Sequence, residues 1–211
     1  MQARHRRIRA ALFACVVLAA LVAPPERARA VDPNPAVFDL GRMSLGFFSG
    51  AGFGFARPGY AGGETDEVLL VPFYPQLGIG ISGPLGGEAW YAGAFEMMLE
   101  GTFLVNTSPR SGFAGGGGVL FRYDFLSVPH VVPYAELGGG MLDLEFDLND
   151  QRDGFNFSLD GGLGIRWFID ANTVLSLAYR WQHLSNAGTA LPNDGIDTHQ
   201  PLLGISYYFD S

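Results

Sequence analysis

One stretch of this sequence carries residues whose types and spacing could do chemistry. It reads Tyr179-Arg180-Trp181-Gln182-His183-Leu184-Ser185-Asn186-Ala187-Gly188 and resumes at Leu191-Pro192-Asn193-Asp194-Gly195-Ile196-Asp197. In an extended chain, residues i and i+2 leave the backbone on the same side. His183 and Ser185 therefore lie next to each other, with an imidazole in reach of a hydroxyl proton, which is the minimum for nucleophilic catalysis. A serine nucleophile also needs an acid to orient the histidine and donors for an oxyanion. Asp197 shares parity with Leu203, Ile205, Tyr207 and Phe209, and its carboxylate reaches His183 if the hairpin folds back in register. Asn186 offers a side-chain amide and Gly188 a backbone N–H. A plainer reading fits the spacing equally well. His183 and Ser185 would be polar residues at a strand end and Asn186-Ala187-Gly188 a turn, because His-x-Ser is not a specific motif.

The elements that must carry these residues read as strands. In 155–169 the odd positions Phe155, Phe157, Leu159, Leu163, Ile165, Trp167 and Ile169 are apolar, while the even ones include Asn156, Ser158, Asp160 and Arg166. The next segment sets Leu175, Leu177, Tyr179 and Trp181 against Ser176, Ala178, Arg180 and Gln182. This is period-2 alternation, and Asp170-Ala171-Asn172 between the two is a tight turn. Segments 44–55, 68–81, 89–104, 113–125, 131–144 and 200–209 read the same way less cleanly, which makes eight strands. The parity of 131–144 is expected to break at a bulge near Gly138-Gly139-Gly140. The longer loops are expected at 56–66, 105–111 and 186–198, with an exposed polar loop at 149–154. The glycines of 115–118 lack the lysine of a phosphate loop, so close sheet packing accounts for them.

Composition decides what such a sheet is. Residues 1–30 hold a basic stretch (Arg4, Arg6, Arg7, Arg9), fourteen apolar residues from Ala10 to Ala23, and Ala28-Arg29-Ala30. This reads as a secretory signal peptide, too short for a spanning helix of roughly 20 residues. Residues 31–211 form the mature domain. They keep seven Arg, no Lys and twenty acidic residues, a net charge of −13. Nucleic-acid binding is thereby disfavoured. The only cysteine, Cys15, lies in the leader, so thiol catalysis, disulfides and Cys-metal sites are excluded; no metal or cofactor is called for. Charged residues are only 16% of the chain, against about 25% in ordinary soluble domains. An exported chain that is apolar but never continuously so fits an all-β fold, an eight-stranded antiparallel transmembrane β-barrel of the bacterial outer membrane. Glu96, Glu100, Arg122, Asp124, Glu136, Asp160, Arg166 and Arg180 would point inward as a paired polar filling, since a barrel this small is filled by side chains. Tyr179, Trp181, Trp167, Phe168, Tyr207, Tyr208 and Phe209 would form aromatic belts facing lipid. The rival fold, a soluble β-sandwich, alternates too but places its charge outside.

Parity puts His183 and Ser185 on the lipid face, where polar groups are costly unless they act on something in the membrane. With a periplasmic N-terminus they end the seventh strand at the level of the outer leaflet, where lipopolysaccharide resides. Here His183-Leu184-Ser185-Asn186-Ala187-Gly188, then Pro192-Asn193-Asp194-Gly195 and a terminal aromatic strand, resemble the PagL-type lipid A 3-O-deacylases, also called the acyloxyacyl hydrolase family. The resemblance covers about the last thirty residues. It implies an eight-stranded outer-membrane barrel with a membrane-facing Ser–His–acid triad that hydrolyses the 3-hydroxyacyl ester at position 3 of lipid A. Carried over, Ser185 matches the nucleophile, His183 the base, Asp197 the acid, and Asn186 and Gly188 the oxyanion donors. The family's best-known members use Glu where this chain has Asp197. Lipid A or lipopolysaccharide would be the substrate partner within outer-membrane lipid, and a homodimer is compatible with such a barrel. A non-catalytic structural or adhesive barrel, or a phospholipase-type acyl hydrolase, are the alternatives. His199 and His130 are expected to be loop or interface residues.

Overall fold

A computed structural model describes residues 34–56, 67–128 and 130–209. The expected signal peptide (1–30) and most of the expected 56–66 loop lie outside them. The chain forms β1 (Met43–Gly50), β2 (Gly52–Ala56), β3 (Glu67–Gly80), β4 (Gly93–Ser108), β5 (Gly112–Phe125), β6 (Val132–Glu145), β7 (Gly154–Phe168), β8 (Thr173–Ser185) and β9 (Ile196–Tyr208). All pairings are antiparallel; from β3 to β9 each strand pairs with the next in sequence, and β1 and β2 both pair with β3 on one side and β9 on the other. The sheet is therefore closed. Registers run through from β1 to β2 unchanged, Gly50 facing Leu202 and Phe53 facing His199, so the two are halves of one barrel strand and the wall has eight. The interruption has a chemical cause. Ala51 N–H donates to Pro201 O at 3.3 Å, and proline has no N–H to return.

The alternation read from the sequence governs the wall. Every second residue is buried inside and its neighbours face out; in β8, Val174, Ser176, Ala178, Arg180, Gln182 and Leu184 point in. The outer wall is apolar. Leu163, Leu137, Met141 and Leu99 are each at least half exposed, and the eight charged residues expected inside are all buried. This is the inverse of a soluble sandwich and removes that rival. Two belt residues are corrected: Phe168 and Tyr208 face inward and stack at 6.5 Å. They belong to an apolar plug at the N-terminal end with Val37 and Phe38 of a short 3-10 turn (Pro35–Phe38).

The filling is layered rather than polar throughout. Above that plug, Arg180 bridges Glu100 (2.7 Å) and Glu136 (2.9 Å), Arg122 pairs with Glu136 (2.9 Å), and Arg166 pairs with Asp124 (2.7 Å). Tyr74 and Tyr134 place their rings 4.4 and 4.5 Å from Arg180 and Arg122. At the far end a second apolar layer, including Leu70, Leu104, Leu144, Leu184 and Ile196, is closed over by Phe146 and Leu148 of the β6–β7 loop. Among the described residues this leaves no open bore.

The expected bulge at Gly138-Gly139-Gly140 does not occur. β6 keeps unbroken register with β5 and β7, and the irregularity lies instead between Leu69 and Leu70 in β3. A Cβ at Gly118 or Gly140 would lie 2.4 or 2.5 Å from the facing strand's carbonyl oxygen, so these glycines let two strands approach closely. At Gly78 a Cβ would meet Glu96 Oε1 at 2.5 Å, where the glycine makes room for a long charged side chain. Three boundaries also move. β4 begins at Gly93, four residues late, and runs to Ser108, so most of the expected 105–111 loop is strand, and β9 begins at Ile196, four residues early. The turn at Asp170 is as read. Its carboxylate accepts the Asn172 and Thr173 N–H groups at 2.8 and 2.7 Å, which hold its pKa below the usual carboxylate range.

Candidate active site on the outer wall

β8 and β9 are a hairpin, and their register decides the site. His183 faces Asp197 directly across the ladder, and both side chains leave the outer face, each partly buried. His183 Nδ1 lies 2.8 Å from Asp197 Oδ1. The shorter acid reaches because directly opposed residues in an antiparallel pair hold their Cβ atoms only about 5 Å apart. Asp194, the other carboxylate of this segment, is tied elsewhere through its main chain, its N–H donating to Asp150 O at 3.0 Å.

Three contacts hold the imidazole. Asp197 holds Nδ1, the indole of Trp181 stacks on the ring at 6.1 Å and 17°, and Gly195 lies against its edge. Gly195 has φ +78°, and a Cβ there would come within 2.7 Å of His183 Cε1. Only a residue without Cβ suits both the backbone and the ring. Tying Nδ1 to a carboxylate leaves Nε2 as the nitrogen that can accept a proton.

Ser185 is the last residue of β8, on the same face two residues on and half-buried. Among the described residues its hydroxyl has no hydrogen-bond partner, a looseness common in uncomplexed active sites. On its other flank the outward face of β7 presents Phe155, Phe157 and Leu159, with Phe157 opposite Ser185 and Leu159 opposite His183. A hydroxyl, an imidazole and a carboxylate thus share one patch of an apolar wall.

Asn186 and Gly188 are brought together, but with each other. Asn186 is buried, its Oδ1 accepts Gly188 N–H at 3.0 Å, and its Nδ2 donates to Ala190 O at 2.9 Å. His199, expected in a loop or interface, is on β9 facing out and lies 2.5 Å through Nδ1 from the Tyr179 hydroxyl. One residue around the site escaped sequence reasoning: Gln151, in the segment read as exposed, is buried. Asn193 and Gly195 lie in the chemical stretch and the Pro-Asn-Asp-Gly resemblance, but neither was given a role there. Short loops carry no periodicity, so the pattern marks no such role.

Fold and patch together define an outer-membrane-type β-barrel with a serine–histidine–aspartate cluster on its outer wall. The sequence model of the family described as lipid A 3-O-deacylase (PagL) matches residues 72–206, and the chain belongs to that family. Among curated proteins none matches significantly. Among solved structures the chain is similar to the crystal structure of the outer membrane enzyme PagL, with 19% identity, a TM-score of 0.51, and coverage of 76% of this chain and 97% of that one. It is equally similar to Neisserial surface protein A (NspA), with 15% identity, a TM-score of 0.52, and coverage of 79% and 97%. At these identities the likeness is one of fold.

Proposed function

We propose that this chain is a lipid A 3-O-deacylase of the outer membrane. Ser185 Oγ attacks the ester carbonyl while His183 Nε2 takes its proton, and Asp197 stabilises the imidazolium that forms. The tetrahedral oxyanion collapses, the sugar hydroxyl leaves with the proton from His183, and an acyl-serine remains. Water, deprotonated by His183, then releases the 3-hydroxy fatty acid and restores Ser185. Asn186 and Gly188 are the oxyanion donors of this scheme. As the substrate seats, Gly188 N–H exchanges Asn186 Oδ1 (3.0 Å) for the oxyanion and Asn186 Nδ2 exchanges Ala190 O (2.9 Å) for it.

The observation that carries the reading is the 2.8 Å His183–Asp197 contact beside Ser185 on a face whose adjoining β7 side chains, Phe155, Phe157 and Leu159, are apolar. Polar groups there are costly unless used on a membrane ester. Fold alone would not choose it, since a surface protein shares the barrel as closely as an enzyme does. All three residues come from one hairpin of one chain, so the reaction needs no second subunit. The site lies at the end of the wall away from the start of β1, the end that faces the outer leaflet if the N-terminus is periplasmic. Mass spectrometry of lipid A from cells with and without the protein tests the proposal. Loss of one hydroxyacyl chain from position 3 is expected. Unchanged lipid A with lysophospholipids and free fatty acid released would identify a phospholipase, and no change in either would favour the non-catalytic barrel.

A further inference from the structure

The catalytic turn between β8 and β9 is laced to the β6–β7 loop, and one buried side chain supplies as many of the hydrogen bonds as the main chain does. Gln151 is 1% exposed. Its Oε1 accepts Gly195 N–H at 3.0 Å. Its Nε2 donates to Asn193 Oδ1 at 3.1 Å and to Asn156 Oδ1 at 2.7 Å. Asn193 Oδ1 in turn accepts the N–H of Asn186 at 2.8 Å, the residue after Ser185. Main-chain bonds run beside it, Arg152 N–H to Pro192 O at 2.8 Å and Asp194 N–H to Asp150 O at 3.0 Å. The anchoring loop is braced by Asp153, whose carboxylate accepts the Phe146 and Asp147 N–H groups at 2.9 and 3.1 Å.

We infer that Gln151 is a positioning residue for the Ser185–His183 pair. One amide holds both ends of the pair's geometry. Through Gly195 it fixes the backbone against which the imidazole edge rests, and through Asn193 it fixes the chain leaving the serine. A buried amide that satisfies three partners, two on the β8–β9 turn and one on β7, is costly to disturb, because each released partner is left unsatisfied in a dry site. The inference rests on the esterase reading above and adds the element that sets the geometry: the β6–β7 loop, which supplies none of the reacting groups, clamps the pair. Small displacements of reacting groups, on the order of 1 Å, cost about 100-fold in rate.

The test uses the full-length protein refolded in detergent, with Gln151→Ala and the closer isostere Gln151→Met. Three readouts separate positioning from folding and from substrate identity: kcat and KM on purified lipid A, the labelling rate of Ser185 by a fluorophosphonate, and the 15N resonances of the His183 ring. Both variants are expected to lower kcat and labelling about 10- to 100-fold, with KM within about twofold and heat-modifiable migration retained. The His183 ring signals should broaden or split. Asn193→Ala combined with Gln151→Ala should cost little more than either alone, as one network predicts. The ring signals test the inference even if lipid A is not the substrate, whereas Ser185→Ala tests the esterase reading itself. Wild-type labelling and an unchanged His183 spectrum in Gln151→Ala would overturn it, as would a loss confined to KM.

Discussion

At the scale of single residues, Ser185, His183 and Asp197 have separable consequences. Ser185→Ala should lower deacylation by several orders of magnitude while the protein still migrates as a heat-modifiable barrel, because the Ser185 hydroxyl, the only group removed, has no hydrogen-bond partner among the described residues; residual activity near wild type would remove the nucleophile assignment. Asp197 already sits 2.8 Å from its partner, so an added methylene must fold back. Asp197→Glu should keep part of the rate and Asp197→Asn little, since an amide can present the wrong partner to the imidazole and cannot stabilise the imidazolium. The same changes at Asp194 should matter less; a larger loss there in a lipid A assay would name the other acid. Gly195→Ala probes the ring's resting place. A methyl at 2.7 Å from Cε1 on a backbone of φ +78° strains the turn by about 1–2 kcal/mol and displaces the imidazole. Activity should fall much further than the unfolding midpoint in urea.

At the scale of elements, strand parity was the most legible feature. It followed from the sharp contrast in β7 and β8, where apolar and aromatic residues alternate with Asp160, Arg166 and Arg180. The opposition of His183 and Asp197 was readable as well, from parity plus the assumption of a hairpin in register. Boundaries were not. Val105 and Thr107 look like loop, yet Asn106 turns inward and bonds Arg110 O at 2.8 Å, so β4 continues past them. Ile196 follows a Pro-Asn-Asp-Gly turn and was counted with it, although it is fully buried at the head of β9. The clamp by Gln151 depends on two loops meeting in space, which no local pattern encodes. The parity itself makes a prediction. Leu163 faces out at 64% exposure in the lower half of β7, so Leu163→Arg should cost up to about 2–4 kcal/mol where the side chain meets the bilayer midplane. Reversible urea unfolding in phospholipid vesicles would measure it, and a neutral result would mean that this face does not contact lipid.

At the scale of the whole molecule, the proposed site and the ionic filling lie on opposite faces of the barrel wall. The ionic layer that holds the wall together is inside, with Arg180 hydrogen-bonded to both Glu100 and Glu136. The site is outside, on the strand pair that also contributes Arg180 and Gln182 to the interior. The same two strands therefore serve both, one parity each. Gln182 lies between them, bonded inward to Asp160 at 2.7 Å while its neighbours Trp181 and His183 face lipid. Removing the central cation should consequently weaken the fold without touching the reacting groups. Arg180→Met leaves Glu100 buried without its counter-charge, while Glu136 keeps Arg122 at 2.9 Å, and breaking a buried pair in this way costs about 3–5 kcal/mol. Replacing Glu100 by Gln in the same protein lifts most of that cost, because the charge is then absent rather than unpaired. The expected series in urea titration is a large drop for Arg180→Met and substantial recovery for the double variant, with specific activity of the folded fraction close to wild type in both. A double variant as unstable as Arg180→Met would show that Arg180 acts through its packing on Tyr74 rather than its charge. Activity falling in step with stability would show that the two faces of β8 are not independent.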